Sequence, residues 1–169
     1  MKQMLKYILT IVMENVKIAE NKHGIILALN SGLIVITVGF FSSAEIIVVI
    51  LNFFVTFFCA VSILFCFLGL FARNVGFERN KQCKKNINLL YFKDIVNFSE
   101  GDYLKCIIIN YNFPSDYLID GFDIDLARQI IANSKVALKK YKMFNKSVFS
   151  LALALTFAIV LMALVGFIQ

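Results

Sequence analysis

The chain has 169 residues, of which 60% are apolar, and its 17 Lys and Arg exceed its 11 Asp and Glu to give a net charge of +6. Soluble domains average roughly 45–50% apolar residues, so the composition excludes an ordinary soluble protein. A chain of this length is also short for more than one domain.

Three windows of the chain contain no charged residue: 24–44, 46–72 and 147–169. Each reaches the roughly 18–20 residues that a helix needs to cross hydrocarbon. We predict an all-α membrane protein with three transmembrane helices, a two-span hairpin and a C-terminal span, with a mainly helical cytoplasmic segment between spans two and three. The predicted boundaries are 1–22 for an amphipathic helix, 23–72 for the hairpin, 73–146 for a cytoplasmic sensor segment and 147–169 for the third span.

The basic residues predict the orientation of the spans. Four precede the first span and the other thirteen lie between Arg73 and Lys146, whereas the connection between spans one and two has only Glu45 as a charge. The positive-inside rule places the N-terminus and the central segment in the cytoplasm and the C-terminus outside. A basic cytoplasmic surface attracts anionic headgroups or a phosphorylated ligand.

The first helix begins as an amphipathic segment and then becomes apolar. Over 1–22 the apolar residues recur at helical spacing, which predicts a helix lying on the membrane or packed on the central segment. Beyond it, Gly24, Ala28 and Gly32 form a stripe of small residues. Such stripes permit close helix approach, either within the hairpin or between copies of the chain. His23, the single histidine, is expected at the membrane interface in a structural role.

The second span is rich in phenylalanine, and we expect most of these rings to face lipid. In the central segment, Ser99 followed by Asp102 resembles a capping box and predicts a helix that reaches Asn110. The third span repeats a small-residue pattern at Ser150, Ala154 and Ala158.

The last helix is predicted to begin near Asp123 and to continue without a break into the third span, over roughly 45 residues. Five cations fall within about 60° of one another on its surface: Arg128, Lys135, Lys139, Lys142 and Lys146. One interpretation is a solvated face from which Lys142 and Lys146 reach lipid headgroups. The other is a phosphate-binding site, made denser when several copies meet. Lys140 lies off this basic stripe and is expected at the surface.

No arrangement of residues points to an enzyme. The sequence has no phosphate-binding loop and no glycine-rich dinucleotide motif. Asp120, Asp123 and Asp125 are better explained as acids at a helix N-terminus than as a calcium loop, because the remaining ligands are missing. No Cys or His spacing suggests a metal, and Cys83 and Cys106 are expected to stay reduced in the cytoplasm.

Three segments together resemble one known family, and they occur in the family's order. They are "AENKHGIILALNSGLI" at 19–34, "LLYFKDIVNFSEGDYLKCI" at 89–107 and "DLARQIIANSKVALKKYKMFNKSV" at 125–148. The family is the transmembrane effectors of the Pycsar antiphage systems. The resemblance covers most of the chain.

The resemblance implies an antiphage defence effector that is not an enzyme. Such effectors respond to a cyclic nucleotide, such as cyclic CMP or cyclic UMP, made by a partner cyclase. They impair inner-membrane integrity and so cause abortive infection. The implied partners are membrane lipid, the cyclic nucleotide and further copies of the chain, without a nucleic acid polymer. The candidate ligand contacts are Arg128, Lys135, Lys139, Tyr91 and Asn133.

Two other functions fit the spans. One is a holin-like pore former that acts without a ligand, although such a protein needs little beyond its spans. The other is a small membrane subunit that docks a partner on its cytoplasmic segment.

Overall fold

The structure, a computed structural model, describes residues 1–43, 45–72, 87–114 and 116–168. These residues form helices and connecting turns, and none of them lies in a strand. The helices are α1 (Lys2–Thr37), a 3-10 helix (Val38–Ser42), α2 (Ile46–Leu70), α3 (Phe92–Ile95), α4 (Glu100–Asn110) and α5 (Gly121–Ile168).

Three stretches of helix are long and apolar enough to cross a membrane. They are Lys2–Ser42, Ile46–Leu70 and Gly121–Phe167. This finding confirms the predicted all-α membrane fold. It also confirms the uninterrupted last helix, since α5 runs for 48 residues.

The chain divides into two compact units. The polar unit comprises Met1–Ala19 and Ala72–Lys140, and the membrane unit comprises Glu20–Phe71 and Tyr141–Gln169. Helices α1 and α5 contribute residues to both units.

The polar unit has one hydrophobic core to which α1, α3, α4 and α5 all contribute. From α1 come Leu5, Ile8 and Val12, whose side chains are completely buried. The first helix therefore packs on the central segment, which is one of the two arrangements predicted for it. The other helices add Ile95, Tyr103, Leu104, Cys106, Ile107, Leu126, Ala127, Ile130 and Ile131.

Side-chain caps fix where α4 and α5 begin. The Asp102 amide donates to Ser99 Oγ at 3.2 Å, and Ser99 Oγ donates to Asp102 Oδ2 at 2.7 Å, which confirms the predicted cap of α4. At α5 the Asp123 amide donates to Asp120 Oδ1 at 2.9 Å, and the Asp120 amide donates back to Asp123 Oδ2. An ion pair with Lys2 holds the pKa of the Asp120 carboxyl below its usual value. Two of the three clustered acids thus serve the helix N-terminus, as the sequence predicts.

Tyr103 anchors the chain that precedes α3 to the polar core. Its side chain is fully buried, and its hydroxyl donates to the Leu89 carbonyl at 2.9 Å. Burial raises the pKa of this phenol.

Replacing Tyr103 with phenylalanine should lower the free energy of unfolding by about 1 kcal/mol, because the Leu89 carbonyl loses its donor while the ring packing stays. The raised pKa adds a pH dependence. The phenol's contribution is complete below its unfolded pKa of about 10 and is lost as the pH rises above that value. Denaturation curves at neutral and alkaline pH measure both effects. Tyr111→Phe is the control, since that side chain is 41% exposed. Equal losses in the two variants would contradict the role of Tyr103.

Small residues of the third span pack as the sequence predicts, and those of the first do not. Ala154 and Ala158 are buried against Val55 and Cys59 of α2. In contrast, Gly24, Ala28 and Gly32 are exposed, and a methyl group added to either glycine meets no atom within 4 Å. The stripe therefore does not pack within the hairpin, and a self-association face stays a prediction. Most phenylalanines of α2 are exposed, as expected: Phe53, Phe54, Phe57 and Phe67.

Two expectations for single residues are wrong. Lys140 is 2% exposed rather than on the surface, because it lies on the face of α5 that turns inward with Ala137. Cys106 is disulfide-bonded rather than a reduced thiol. Cys83 and the rest of the polar connector at 73–86 lie outside the described residues.

Candidate functional site

The five candidate ligand contacts all belong to the polar unit. Four of them project from the first half of α5: Arg128, Asn133, Lys135 and Lys139. Tyr91 precedes the single turn of α3. The other two cations of the basic stripe, Lys142 and Lys146, belong to the membrane unit.

Arg128 is engaged by acidic neighbours. Its Nη1 lies 3.1 Å from Asp125 Oδ1, and its Nε lies 3.5 Å from Glu100 Oε1. The guanidinium is exposed, so each pair contributes little to stability. The two carboxylates nevertheless largely balance the positive charge of Arg128 in the ligand-free protein.

Lys135 and Lys139 differ from Arg128 because neither has an ion pair in the described part of the chain. They are half-buried and four residues apart, so they lie one above the other on the same face of α5. Two unbalanced ammonium groups at this spacing attract a phosphate. Asn133 Nδ2 donates to the Gln129 carbonyl at 2.9 Å, within the same helix.

Tyr91 makes local contacts. Its ring centroid lies 5.0 Å from that of Phe92, and Lys93 Nζ lies 5.7 Å from the Tyr91 centroid. Among the described residues, these ring contacts do not link Tyr91 to the cations of α5. The structure therefore places Lys135 and Lys139 one turn apart on α5, and the described ring contacts of Tyr91 are local to its own segment.

His23 marks a junction of the three membrane helices. Its ring is completely buried among the helices. It lies edge-on to Phe144 of α5, with centroids 5.9 Å apart, and against Gly69 of α2. Only the missing side chain of Gly69 leaves room for the imidazole. These helix contacts fit the structural role predicted for His23, and its position at the membrane interface stays a prediction.

Side-chain hydrogen bonds also tie the three spans together, and sequence reasoning did not identify the partners in them. Asn30 Nδ2 of α1 donates to Ser62 Oγ of α2 at 2.9 Å. Ser62 Oγ and Ser147 Oγ of α5 lie 2.9 Å apart, and Cys66 Sγ lies 3.0 Å from Ser147 Oγ. In lipid such bonds contribute about 0.6–2 kcal/mol each. The sequence signal for these bonds was the presence of four polar residues, Asn30, Ser62, Cys66 and Ser147, in otherwise apolar windows. Which of them pair with each other depends on how the helices pack.

Asn52 is a polar side chain without such partners. It is fully buried in α2, and neither its amide nitrogen nor its amide oxygen makes a hydrogen bond in the described structure. A buried amide of this kind costs free energy.

The clustered acids do not form a metal site. Within the described ranges, no group of three or more His, Cys, Asp and Glu side chains could hold a metal ion. Asp120 and Asp123 cap α5, and Asp125 pairs with Arg128.

Comparison with curated proteins and with solved structures finds no significant match. The family model of the Pycsar effector protein domain matches residues 4–167. Because this match covers almost the whole chain, the protein belongs to the Pycsar effector family of antiphage defence, as the three segments of its sequence predict.

Proposed function

We propose that this protein responds to a cyclic nucleotide made by a partner cyclase and then impairs the integrity of the inner membrane, so that the infected cell is lost. Membership of the Pycsar effector family supports a role in antiphage defence and implies the cyclase. The three apolar helices support a membrane location. The ligand is a cyclic mononucleotide such as cyclic CMP or cyclic UMP, and the protein acts without catalysis.

The ligand's phosphate binds at Lys135 and Lys139. The observation that carries this assignment is that neither lysine has an ion pair among the described residues, so both positive charges are unbalanced. The two side chains are also half-buried and one helical turn apart. Arg128 is the weaker candidate because Asp125 and Glu100 already engage it. Asn133 lies on the same helix and is the further candidate contact. Tyr91 stays a candidate on the family resemblance alone, since its described ring contacts are with Phe92 and Lys93.

Helix α5 passes the response to the membrane. It continues from Gly121 to Ile168, so a ligand that binds at Lys135 and Lys139 acts on the same helix that carries Ser147. A ligand shifts an equilibrium only by its differential affinity for two states. Here the resting state is the described packing, and ligand binding favours a second packing.

Polar groups inside the membrane unit support the existence of a second packing. The amide of Asn52 has no hydrogen bond in the described state, and a rearrangement that gives it a partner or water recovers that cost. Association of several copies would place such groups around a lesion. The N-terminus and the central segment face the cytoplasm in this proposal, where the cyclase product forms, and the C-terminus lies outside.

The test is dye release from liposomes that contain the purified protein, with a panel of cyclic mononucleotides and dinucleotides. We expect release with one cyclic mononucleotide and not with its close analogues. Lys135→Glu combined with Lys139→Glu should weaken the response about 100-fold or more, because two charge-assisted contacts become repulsive. Lys17→Glu combined with Lys105→Glu is the matched control, since it makes the same charge change at two exposed lysines of the same unit.

Three results would contradict the proposal. A full response in the Lys135 and Lys139 variant would exclude the site. Release without any nucleotide would favour the holin-like function. The absence of release from folded, inserted protein with every nucleotide would favour a subunit that docks a cytoplasmic partner.

A further inference from the structure

A groove runs along the surface of the membrane unit between α2 and α5. Its volume is about 580 Å³, and it opens to the surroundings. Four phenylalanine rings form most of its wall, and an amide and an ammonium group stand at one end: Phe57, Phe58, Phe65, Phe149, Asn145 and Lys146. The accessible wall of the groove is therefore almost entirely apolar, and its polar end is the border at Asn145 and Lys146 rather than polar surface inside it.

The polar end lies where the third span begins. Lys146 directly precedes the charge-free window 147–169, so its ammonium reaches the headgroup level of a bilayer. Lys146 Nζ lies 5.5 Å from the centroid of Phe65, which holds the charge over the groove. The hydroxyl of Ser150 donates to the Phe58 carbonyl at 2.8 Å and so belongs to the helix contact. Lys146 and Asn145 remain to meet a ligand.

We propose that this groove binds one anionic phospholipid, with an acyl chain along the phenylalanine rings and the phosphate at Lys146 and Asn145. Its apolar length fits a hydrocarbon chain, and its cationic end fits a phosphodiester. Charge complementarity favours an anionic phospholipid in the groove over the same face of a second copy of the chain. The part of α5 within the membrane unit, residues 141–168, carries Lys142 and Lys146 and no acid, so two such faces would repel each other.

The lipid site is separate from the proposed nucleotide site, which belongs to the polar unit. The test of the lipid site therefore needs no nucleotide, and its result does not depend on whether the protein responds to a nucleotide. The whole chain is titrated in detergent with phosphatidylglycerol or with phosphatidylcholine of the same acyl chains, and bound lipids are counted by native mass spectrometry. We expect one phosphatidylglycerol to bind in preference to phosphatidylcholine.

Two variants examine the two ends of the groove. Lys146→Gln should reduce the preference for phosphatidylglycerol about five-fold, the usual effect of one cation near an anionic headgroup. Val61→Trp, which fills the groove from α2, should reduce binding of both lipids. Lys142→Gln is the matched control, because it removes an exposed cation one turn away that does not line the groove.

Several outcomes would overturn the site. One is equal binding of the two lipids by the unaltered protein. Another is an equal loss of preference in Lys142→Gln and Lys146→Gln, which would indicate general attraction of the basic helix for anionic lipid. A third is a dimer that excludes lipid and that Lys146→Gln strengthens, because a second copy would then occupy the groove. Circular dichroism of each variant verifies its helix content. If Val61→Trp does not fold, Lys146→Gln still tests the site, because it alters only an exposed side chain.

Discussion

Truncation of Ile130 to alanine should lower the free energy of unfolding of the polar unit by about 2–5 kcal/mol, the usual range for a large aliphatic side chain removed from a core. Ile130 is completely buried on α5, in the same cluster as Leu5 of α1 and Ile107 of α4. The cavity left behind would therefore loosen three helices at once. Because α5 also carries Lys135 and Lys139, the geometry of the proposed ligand site depends on this core.

Hydrogen exchange of the α4 amides measures the effect within the whole chain. Exchange of the best protected amides in Glu100–Asn110 should accelerate roughly 30-fold or more, if those amides exchange through unfolding of the polar unit. Ile124→Ala is the matched control, with the same change on the same helix at a side chain that is 38% exposed. It should change exchange far less. Similar acceleration of amide exchange in Ile130→Ala and Ile124→Ala would mean that the loss of stability comes from helix propensity and not from the burial of Ile130.

Features that depend on neighbours in the chain could be predicted from the sequence. The span windows need only an apolar run of sufficient length. The cap at Ser99 needs only a side-chain oxygen three residues before the backbone amide that it accepts from. The continuity of α5 follows from the absence of proline after Gly121 and of glycine before Gly166.

Features that depend on which helix lies opposite could not be predicted in this way. The two small-residue patterns look alike in sequence, yet Ala154 is fully buried and Gly24 is exposed. Helical spacing places residues on a face but does not say what that face meets. Lys140 was misplaced for the same reason, because its burial depends on how the helices pack. The burial of His23 against Gly69 of α2 and Phe144 of α5 likewise needs the packing to be known.

The basic stripe shows the same division. Its five cations share a face of α5 by spacing alone, but their charges are not equivalent. Arg128 is balanced by Glu100, which is 28 positions earlier in the chain, whereas Lys135 and Lys139 have no ion pair in the described regions. The sequence could predict the stripe, and the structure is needed to rank its members.

Replacing Gly69 with alanine should destabilise the membrane unit by about 3 kcal/mol, at the upper end of the usual cost of overpacking. The added methyl would overlap the imidazole of His23, which is fully buried and edge-on to Phe144. The ring therefore has little room to retreat. Gly32→Ala is the matched control, since its methyl meets no atom within 4 Å. We expect that control to be neutral or up to about 1 kcal/mol more stable, because alanine favours helix.

Unfolding in mixed micelles, followed by circular dichroism, measures these changes, and a double-mutant cycle identifies their cause. His23→Ala removes the ring, so Gly69→Ala added to it should cost less than about 1 kcal/mol, which leaves a coupling of roughly 2 kcal/mol between the two positions. The same cost with and without the imidazole would show that Gly69 matters for its backbone and not for the space it leaves. If the coupling is found, a single glycine on α2 sets how closely α2 approaches the His23 ring of α1, which in turn contacts Phe144 of α5. The junction is then a point where a change in α5 must alter the packing of the hairpin.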